Sequence, residues 1–342
     1  MKYTLFFIFF LLNSTMKAQT GLSGADSLTG PQHLNLTPTS FSNKFSLSVD
    51  PVLKIKTGDT VTTETVDAAG FDKNGVKRQK GGNPLTGAFY ISDAQVGDVL
   101  AVTLIEISLN HSSAFTTESF SSRSVEKEIA QQLSKPKLVK WKLDMQTGLA
   151  SPQDSSYQHL HDFKVPVKPF LGCIGVAPSS KKNEILSFFQ GAFGGNLDYS
   201  AITQSATVYL PVFHDGAYLY IGDGHALQGD AEIAGNALET SLNVSFTVRV
   251  IKKESLQLNF PRIEDSTYII SLGIEKTLDD ALKIATSGLL SWVQQDYHLT
   301  LQEATQLIST TIEYNIAEIA DPEIVVAAKI KKEWLRQLKP QP

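Results

Sequence analysis

Hydrophobic and polar positions alternate in short runs over most of this chain, and only near its end does the spacing lengthen to that of a helix. Leu242, Val244, Phe246, Val248 and Val250 are separated by other residues, a period of two that turns one face of a strand toward a core. The segments 52–67, 100–109, 137–144, 207–213 and 217–222 are rich in β-branched and aromatic residues with partial alternation, and also predict strands. Gly-Asp pairs at Gly58-Asp59, Gly97-Asp98 and Gly222-Asp223 predict turns between them. Many strands at short spacing predict a mainly β fold, a sandwich or distorted barrel, over residues 45–272.

After Gly273 the period changes. Leu278, Leu282, Ala285, Leu289 and Val293 fall near one face of a helix, with Thr277 as its N-cap and Asp279 and Asp280 in the first turn. Thr300 and Glu303 form a capping-box pattern, which predicts a second helix running to about Ile319. Asp321-Pro322 then turns the chain into EIVVAAKI, a final strand. Residues 273–342 thus read as an α+β C-terminal part of one unit spanning 19–342, with no linker long enough to divide it.

Residues 1–18 read as an address. Lys2 precedes the apolar run Tyr3 to Leu12, followed by Asn13, Ser14 and Thr15 and a small residue, Ala18, at the expected cut. This is a secretory signal peptide, and its apolar run is shorter than the roughly 20 residues a bilayer span needs. The expected location is periplasmic or secreted. The cut removes two lysines and leaves 28 basic against 35 acidic side chains, a charge of −7. An acidic chain without basic runs is a poor partner for nucleic acid or anionic membranes, so a small molecule is the expected partner, with homo-oligomerisation left open. The single cysteine, Cys173, lies in the apolar run FLGCIGV and reads as a buried, inert thiol.

The chemistry concentrates between Gly194 and Thr240. Asp223, His225, Asp230, Glu232 and Glu239 fall within 17 positions, interleaved with Gly224, Gly229 and Gly235. Glycines let the backbone approach closely and aim polar side chains at one point. In extended backbone Asp223 and His225 point the same way, a suitable spacing for two ligands of one ion. Asp230 and Glu232 stand in the same relation. Asp198, after Gly194-Gly195-Asn196, and Glu239 complete a candidate ligand set of Asp198, Asp223, His225 and Glu239. Several oxygens and one nitrogen, with no thiolate among them, suit a divalent cation such as zinc or calcium. No G-x-S-x-G elbow is present, and no Ser-Lys pair stands in a Gly-Ser-Ser context. A metal-activated water is then the favoured agent, with His225 and either Glu232 or Asp230 in catalytic roles. His159 and His161 form a rival pair, read here as exposed strand-edge histidines.

Several segments carry a family resemblance, in order. GDTVTTETVDAAG brings Glu64 and Asp67; NPLTGAFYISDAQVGDVLAVTLIEI follows, with Ala88 and Val96 at positions where proline is usual; then come KPFLGCIGVAP, GGNLD and IGDGHALQGDAE. Together these resemble the acetamidase/formamidase family from about residue 50 to 330. The resemblance implies hydrolysis of linear amides to a carboxylate and ammonia, with Asn196, Gly195 and Gln228 contacting substrate. His214-Asp215, Asn236 and the polar segment 109–124 depart from the family pattern. They keep a second expectation alive, a homologue that binds a metal or small ligand without turnover.

Overall fold

The alternating pattern resolves into two large sheets. The computed structural model describes residues 30–133 and 135–338, so the signal peptide expected at 1–18 lies outside the described residues. A nine-stranded sheet runs in the order His33–Asn35, Thr60–Glu64, Leu242–Ile251, Val99–Leu109, Thr207–Pro211, Arg262–Glu264, Tyr268–Glu275, Ile324–Lys331, Glu313–Glu318. An eleven-stranded sheet holds Leu219–His225 near its middle, flanked by Phe170–Gly175, Glu239–Thr240 and Leu85–Ile91.

One hydrophobic cluster joins the inner faces of both sheets. Val102, Val244, Phe246 and Leu272 come from the first sheet, and Phe89, Leu171, Leu219 and Ile221 from the second. The rings of Phe89 and Phe246 meet edge-on at 5.2 Å across this interface. Fully burying side chains of this size stabilises by about 1.5–3 kcal/mol each, so the core between the sheets holds the mainly β sandwich together.

Gly58-Asp59 and Gly97-Asp98 form the turns the sequence predicts, and their aspartates are buried because they accept backbone N–H groups. Asp59 takes those of Gln32 and Lys56 at 2.9 Å, and Asp98 that of Gln95 at 3.0 Å. Gly222-Asp223 does not turn: both residues lie inside the Leu219–His225 strand.

The C-terminal part covers the outer face of the nine-stranded sheet. Thr277 caps the Leu278–Tyr297 helix by accepting the Asp280 N–H, and Thr300 and Glu303 complete a capping box at Leu301–Thr311. The buried face of the first helix is Ala281, Ala285, Leu289, Trp292 and Val293, while Leu278 and Leu282 are exposed. Gly273 allows this docking, because a Cβ there would lie 1.9 Å from the Ala281 carbonyl oxygen. The second helix stops at Thr311 rather than near Ile319: Glu313–Glu318 is a strand, paired antiparallel with the expected final strand Ile324–Lys331. Sheet pairing here overrides the helical propensity of the segment. No described helix is long and apolar enough to cross a membrane.

Candidate active site

Strand register builds the site. His225 ends the Leu219–His225 strand, with Phe170 opposite it on one side and Glu239 on the other. The Gly194–Asn196 strand pairs beyond Phe170–Gly175, and the chain then turns through Asp198 at φ 41°. Both Leu197 and Asp198 donate their backbone N–H to the Gly172 carbonyl, at 2.9 and 3.2 Å, which fixes Asp198 over that glycine.

Four of the predicted ligands converge. The Nε2 of His225 lies 3.3 Å from Glu239 Oε2, 3.5 Å from Asp223 Oδ2 and 3.8 Å from Asp198 Oδ1, with every side chain at most 3 % exposed. His225 Nε2, Asp198 Oδ1, Asp223 Oδ1 and Glu239 Oε2 are buried, and none has a hydrogen-bond partner. Orphaned buried polar atoms are costly, about 1–3 kcal/mol each and more when charged. Gly172 forms the floor of this cradle. A Cβ there would stand 2.5 Å from Asp198 Oδ1, 2.7 Å from Asp223 Oδ2 and 2.9 Å from His225 Cε1. Clustered acids that leave their own oxygens unpaired around such a space fit a divalent cation, and ligand atoms of two triads lie within 4.8 Å of one another: Asp223, His225, Glu239 and Asp198, His225, Glu232.

Surrounding residues orient the ligands. Gln228 donates its amide N–H to the Asp198 carbonyl at 2.6 Å and the Ala317 carbonyl at 3.2 Å, so its Oε1 accepts from His225 Nδ1 at 3.0 Å. This contact anchors the Nδ1 end of the ring and leaves Nε2 facing the carboxylates. Asn196 donates to Asp198 and, at 2.8 Å, to Asp321, while Asn83 donates to Asp223 Oδ2 at 2.9 Å and Asn196 Oδ1 at 3.1 Å.

Electrostatics follow from this crowding. Burial alone would lower the His225 pKa, but Glu239 and Asp223 outweigh it and hold it well above the ordinary imidazole value. Burial raises Asp198 well above the usual carboxylate range and raises Glu239, with His225 partly offsetting both. Glu232 is also raised well above its usual value, first by burial and then by Asp198, and its carboxyl pairs with that of Glu318. Burial and Glu318 push Asp321 up to about 7.

The remaining predicted residues fall elsewhere. Asp230 is exposed and accepts from Asn315 at 2.8 Å, so it does not join the cluster. The expectation of parallel Asp230 and Glu232 side chains assumed extended backbone. Residues 230–232 instead form a 3-10 turn in which Ala231 and Glu232 have φ of 73° and 45°, and that turn sends Glu232 inward. Gly195 pairs with Ile174 in the sheet, and a Cβ there would meet the Phe189 carbonyl oxygen at 2.3 Å. Asn196 and Gln228 lie beside the cluster, hydrogen-bonded to Asp198 and His225. His159 and His161 lie at a short 3-10 turn, Gln158–Leu160, not on a strand edge, and are exposed.

Sequence reasoning missed Asn83, Gly172, Glu318 and Asp321. Asn83 opens the NPLTG motif and was legible there. Glu318 was hidden because its segment read as the end of a helix, and Asp321 because it read as the turn that follows. Cys173 is buried as expected, but its Sγ lies 2.7 Å from Asn196 Oδ1, and burial followed by the nearby Asp223 holds the thiol well above its usual pKa.

The sequence of residues 31–187 and 191–310 matches the model of the Acetamidase/Formamidase family. The chain belongs to that family. The fold of this family member agrees: an acetamidase of Yersinia enterocolitica is 29% identical with TM-score 0.76, covering 92% of this chain and 96% of its own. A predicted acetamidase/formamidase of the thermophile Thermoanaerobacter tengcongensis is 25% identical with TM-score 0.76, covering 92% and 100%. An acetamidase of Bacillus halodurans is 25% identical with TM-score 0.74, covering 89% and 99%. No match was found among curated proteins.

Proposed function

We propose that this chain is an exported amidase that cleaves small linear carboxamides, such as formamide or acetamide, to a carboxylate and ammonia with the help of a divalent cation. The family supplies the reaction class, hydrolysis of the C–N bond of linear amides. Export rests on the charge and hydrophobic pattern of residues 1–18.

The observation that carries the mechanism is the cluster of four buried side chains, Asp198, Asp223, His225 and Glu239, each of which has a polar atom without a hydrogen-bond partner. A cation held there supplies positive charge that polarises a carbonyl and acidifies water. One nitrogen among carboxylate oxygens suits zinc in a mixed site, or calcium where oxygens dominate. The chain's own residues do the rest. Gln228 keeps the His225 Nε2 turned inward. Glu232, held well above the usual carboxylate range by burial and by the nearby Asp198 and paired with Glu318, is placed to hold a proton and release it to a departing amine. Asn83 and Asn196 fix the Asp223 and Asp198 carboxylates without adding charge.

The near-complete burial of the cluster favours a second reading, ion binding without turnover. Ammonia release from a panel of short amides, by protein loaded with zinc or with calcium, separates the two. Chelation should lower melting temperature and activity together, and the restored ion should recover both. Glu232→Gln should lower turnover about 100-fold, and Asp230→Asn should leave it within about twofold of the parent because that carboxylate is at the surface. Tight ion binding with no ammonia from any amide establishes the second reading. Full activity in protein shown by elemental analysis to be metal-free overturns the mechanism.

A further inference from the structure

A second cavity, built from residues other than those of the acidic cradle, lies on the helix-covered face of the nine-stranded sheet. Its floor is Arg262, 6% exposed and the only buried lysine or arginine among the described residues. The Arg262–Glu264 strand turns Ile263 into the core between the sheets, so alternation sends Arg262 to the opposite face, beneath the Leu278–Tyr297 helix. There the guanidinium carbon stacks 4.8 Å from the centroid of the Trp292 ring. No hydrogen bond or ion pair joins its N–H groups to any described residue. Asp296, the carboxylate that acts on Arg262, is engaged by the Trp292 N–H at 2.7 Å, and with Arg249 and Glu264 it lines a neighbouring cavity that Arg262 also borders.

The Arg262 side chain is almost wholly covered by protein, yet its guanidinium borders open space in which its N–H groups have no protein partner. The stacking on Trp292 holds the fork in place but satisfies none of its donors. The space it faces measures about 400 Å³, inside the range of about 300–1,000 Å³ usual for small-molecule sites. Ser287, Ser291 and Gln295 stand at spacing i, i+4, i+8 on the helix and present one polar ridge to this space, with Lys283 one turn earlier at the rim. Lys283 shares its charge with Asp280 at 3.0 Å. The hydroxyl of Ser271, 2% exposed, opens from the floor, and Leu258, Phe260 and Ile284 supply an apolar wall. No aspartate or glutamate lines the space.

We propose that this groove is a binding site for a small organic oxyanion, its head held by the Arg262 fork and the serine hydroxyls and its short apolar body against Leu258, Phe260 and Ile284. A planar carboxylate or a phosphate matches the paired N–H groups of a guanidinium, and the hydroxyl ridge supplies donors for the remaining oxygens. Burial, partly offset by Asp296, lowers the Arg262 pKa from its ordinary value, and an anion in the groove relieves that penalty.

Trp292 provides the readout. Butyrate and inorganic phosphate are titrated separately into the full chain carrying Trp141→Phe and Trp334→Phe, which leaves Trp292 as the emitting tryptophan, at constant ionic strength, with chloride as control, while fluorescence and binding heat are followed. Saturation near or below about 1 mM is expected for one probe; a response to butyrate alone identifies a carboxylate site, and to phosphate alone a phosphate site. Arg262→Gln should raise the apparent Kd at least tenfold. Because a buried residue is changed there, Ser291→Leu provides a second test: Ser291 is exposed on the helix, so the variant folds with an unchanged melting temperature yet fills the groove and abolishes the response. Absence of a saturable response to either probe at 50 mM, or a response that survives both substitutions, overturns the proposal. Loss of a dimer on Ser291→Leu without any anion response also overturns it, in favour of a contact between subunits. None of these readouts depends on amide turnover.

Discussion

Adding one methyl group at Gly172 tests the cradle directly. Gly172 lies in a strand with no left-handed φ, so alanine meets no backbone penalty there, and the whole effect falls on the atoms the new Cβ would touch. Those atoms are Asp198 Oδ1 at 2.5 Å, Asp223 Oδ2 at 2.7 Å and His225 Cε1 at 2.9 Å, whereas ordinary contact begins at 3.4 Å. The two carboxylate oxygens must therefore retreat by 0.9 and 0.7 Å, the differences between those figures. Ligand positions in a metal site tolerate about 0.2 Å, so the shift is several times what a cation could follow. Disturbing residues that merely orient ligands costs about 10–100-fold in affinity; moving the ligands themselves should cost at least about 100-fold. Overpacking should also destabilise the fold by about 1–3 kcal/mol. Gly229→Ala is the control, because a Cβ there meets nothing within 4 Å. Zinc and calcium affinity by chelator competition, with melting temperatures in chelator and in saturating ion, gives the answer. Gly172→Ala protein that binds either ion as tightly as the Gly229→Ala control, and gains as much melting temperature from it, would refute the placement of the cation site.

Three further outcomes follow from the same geometry. Gln228→Leu removes the acceptor that holds the His225 proton on Nδ1 and should lower ion affinity about 10–100-fold, measured by the same competition; undiminished affinity would show that another group sets the ring. Gly273→Ala drives a Cβ to 1.9 Å from the Ala281 carbonyl, should destabilise by about 3 kcal/mol and should appear as a lower urea midpoint; an unchanged midpoint would show that the helix can lift from the sheet at no cost. Stability of the ion-free protein should fall as pH rises from about 4 to about 7: Asp321, ordinarily at 3.8, titrates at about 7 in the fold, so across that window the folded chain holds a proton the unfolded chain has released. Asp280, lowered first by its bond from Thr277, and Asp144, lowered by the Gln146 N–H, lose their contributions only below 3.8. Melting temperature in chelator should then be higher at pH 5 than at pH 8, and a rise with pH would contradict the buried carboxyl account.

The β architecture was legible because alternation reports burial directly: Val244, Phe246 and Val248 face the core as their spacing requires. Helix starts were legible too, since Thr277 and Thr300 carry their caps in sequence. The end of the second helix was not, because Glu313–Glu318 becomes a strand only through its partner Ile324–Lys331. The same long-range pairing hid Glu318 from the site. Asp223 shows the reverse case. Its φ of 55° breaks the extended geometry that argued for pairing with His225, yet the two side chains still meet at 3.5 Å. Asp230 and Glu232 had the identical spacing and separated, because two successive left-handed residues turned the chain between them. Spacing alone names candidates; backbone conformation decides which of them converge.

The arrangement of charge in this site is itself an argument for an ion. Asp198, Asp223 and Glu239 present three carboxylates to a single imidazole in a space where each side chain is at most 3% exposed. One imidazolium balances one carboxylate; the other two must either take up protons, as the raised values of Asp198 and Glu239 describe, or face a cation. The neighbouring residues discriminate between these outcomes. A carboxyl built to stay protonated is given an acceptor for its proton, as Glu232 is given Glu318. Asp223 Oδ1, Asp198 Oδ1 and Glu239 Oε2 are given none, and Gln228 fixes the histidine ring so that Nε2 faces the carboxylates. Two triads that share His225, Asp223 with Glu239 and Asp198 with Glu232, are each compatible with a divalent cation.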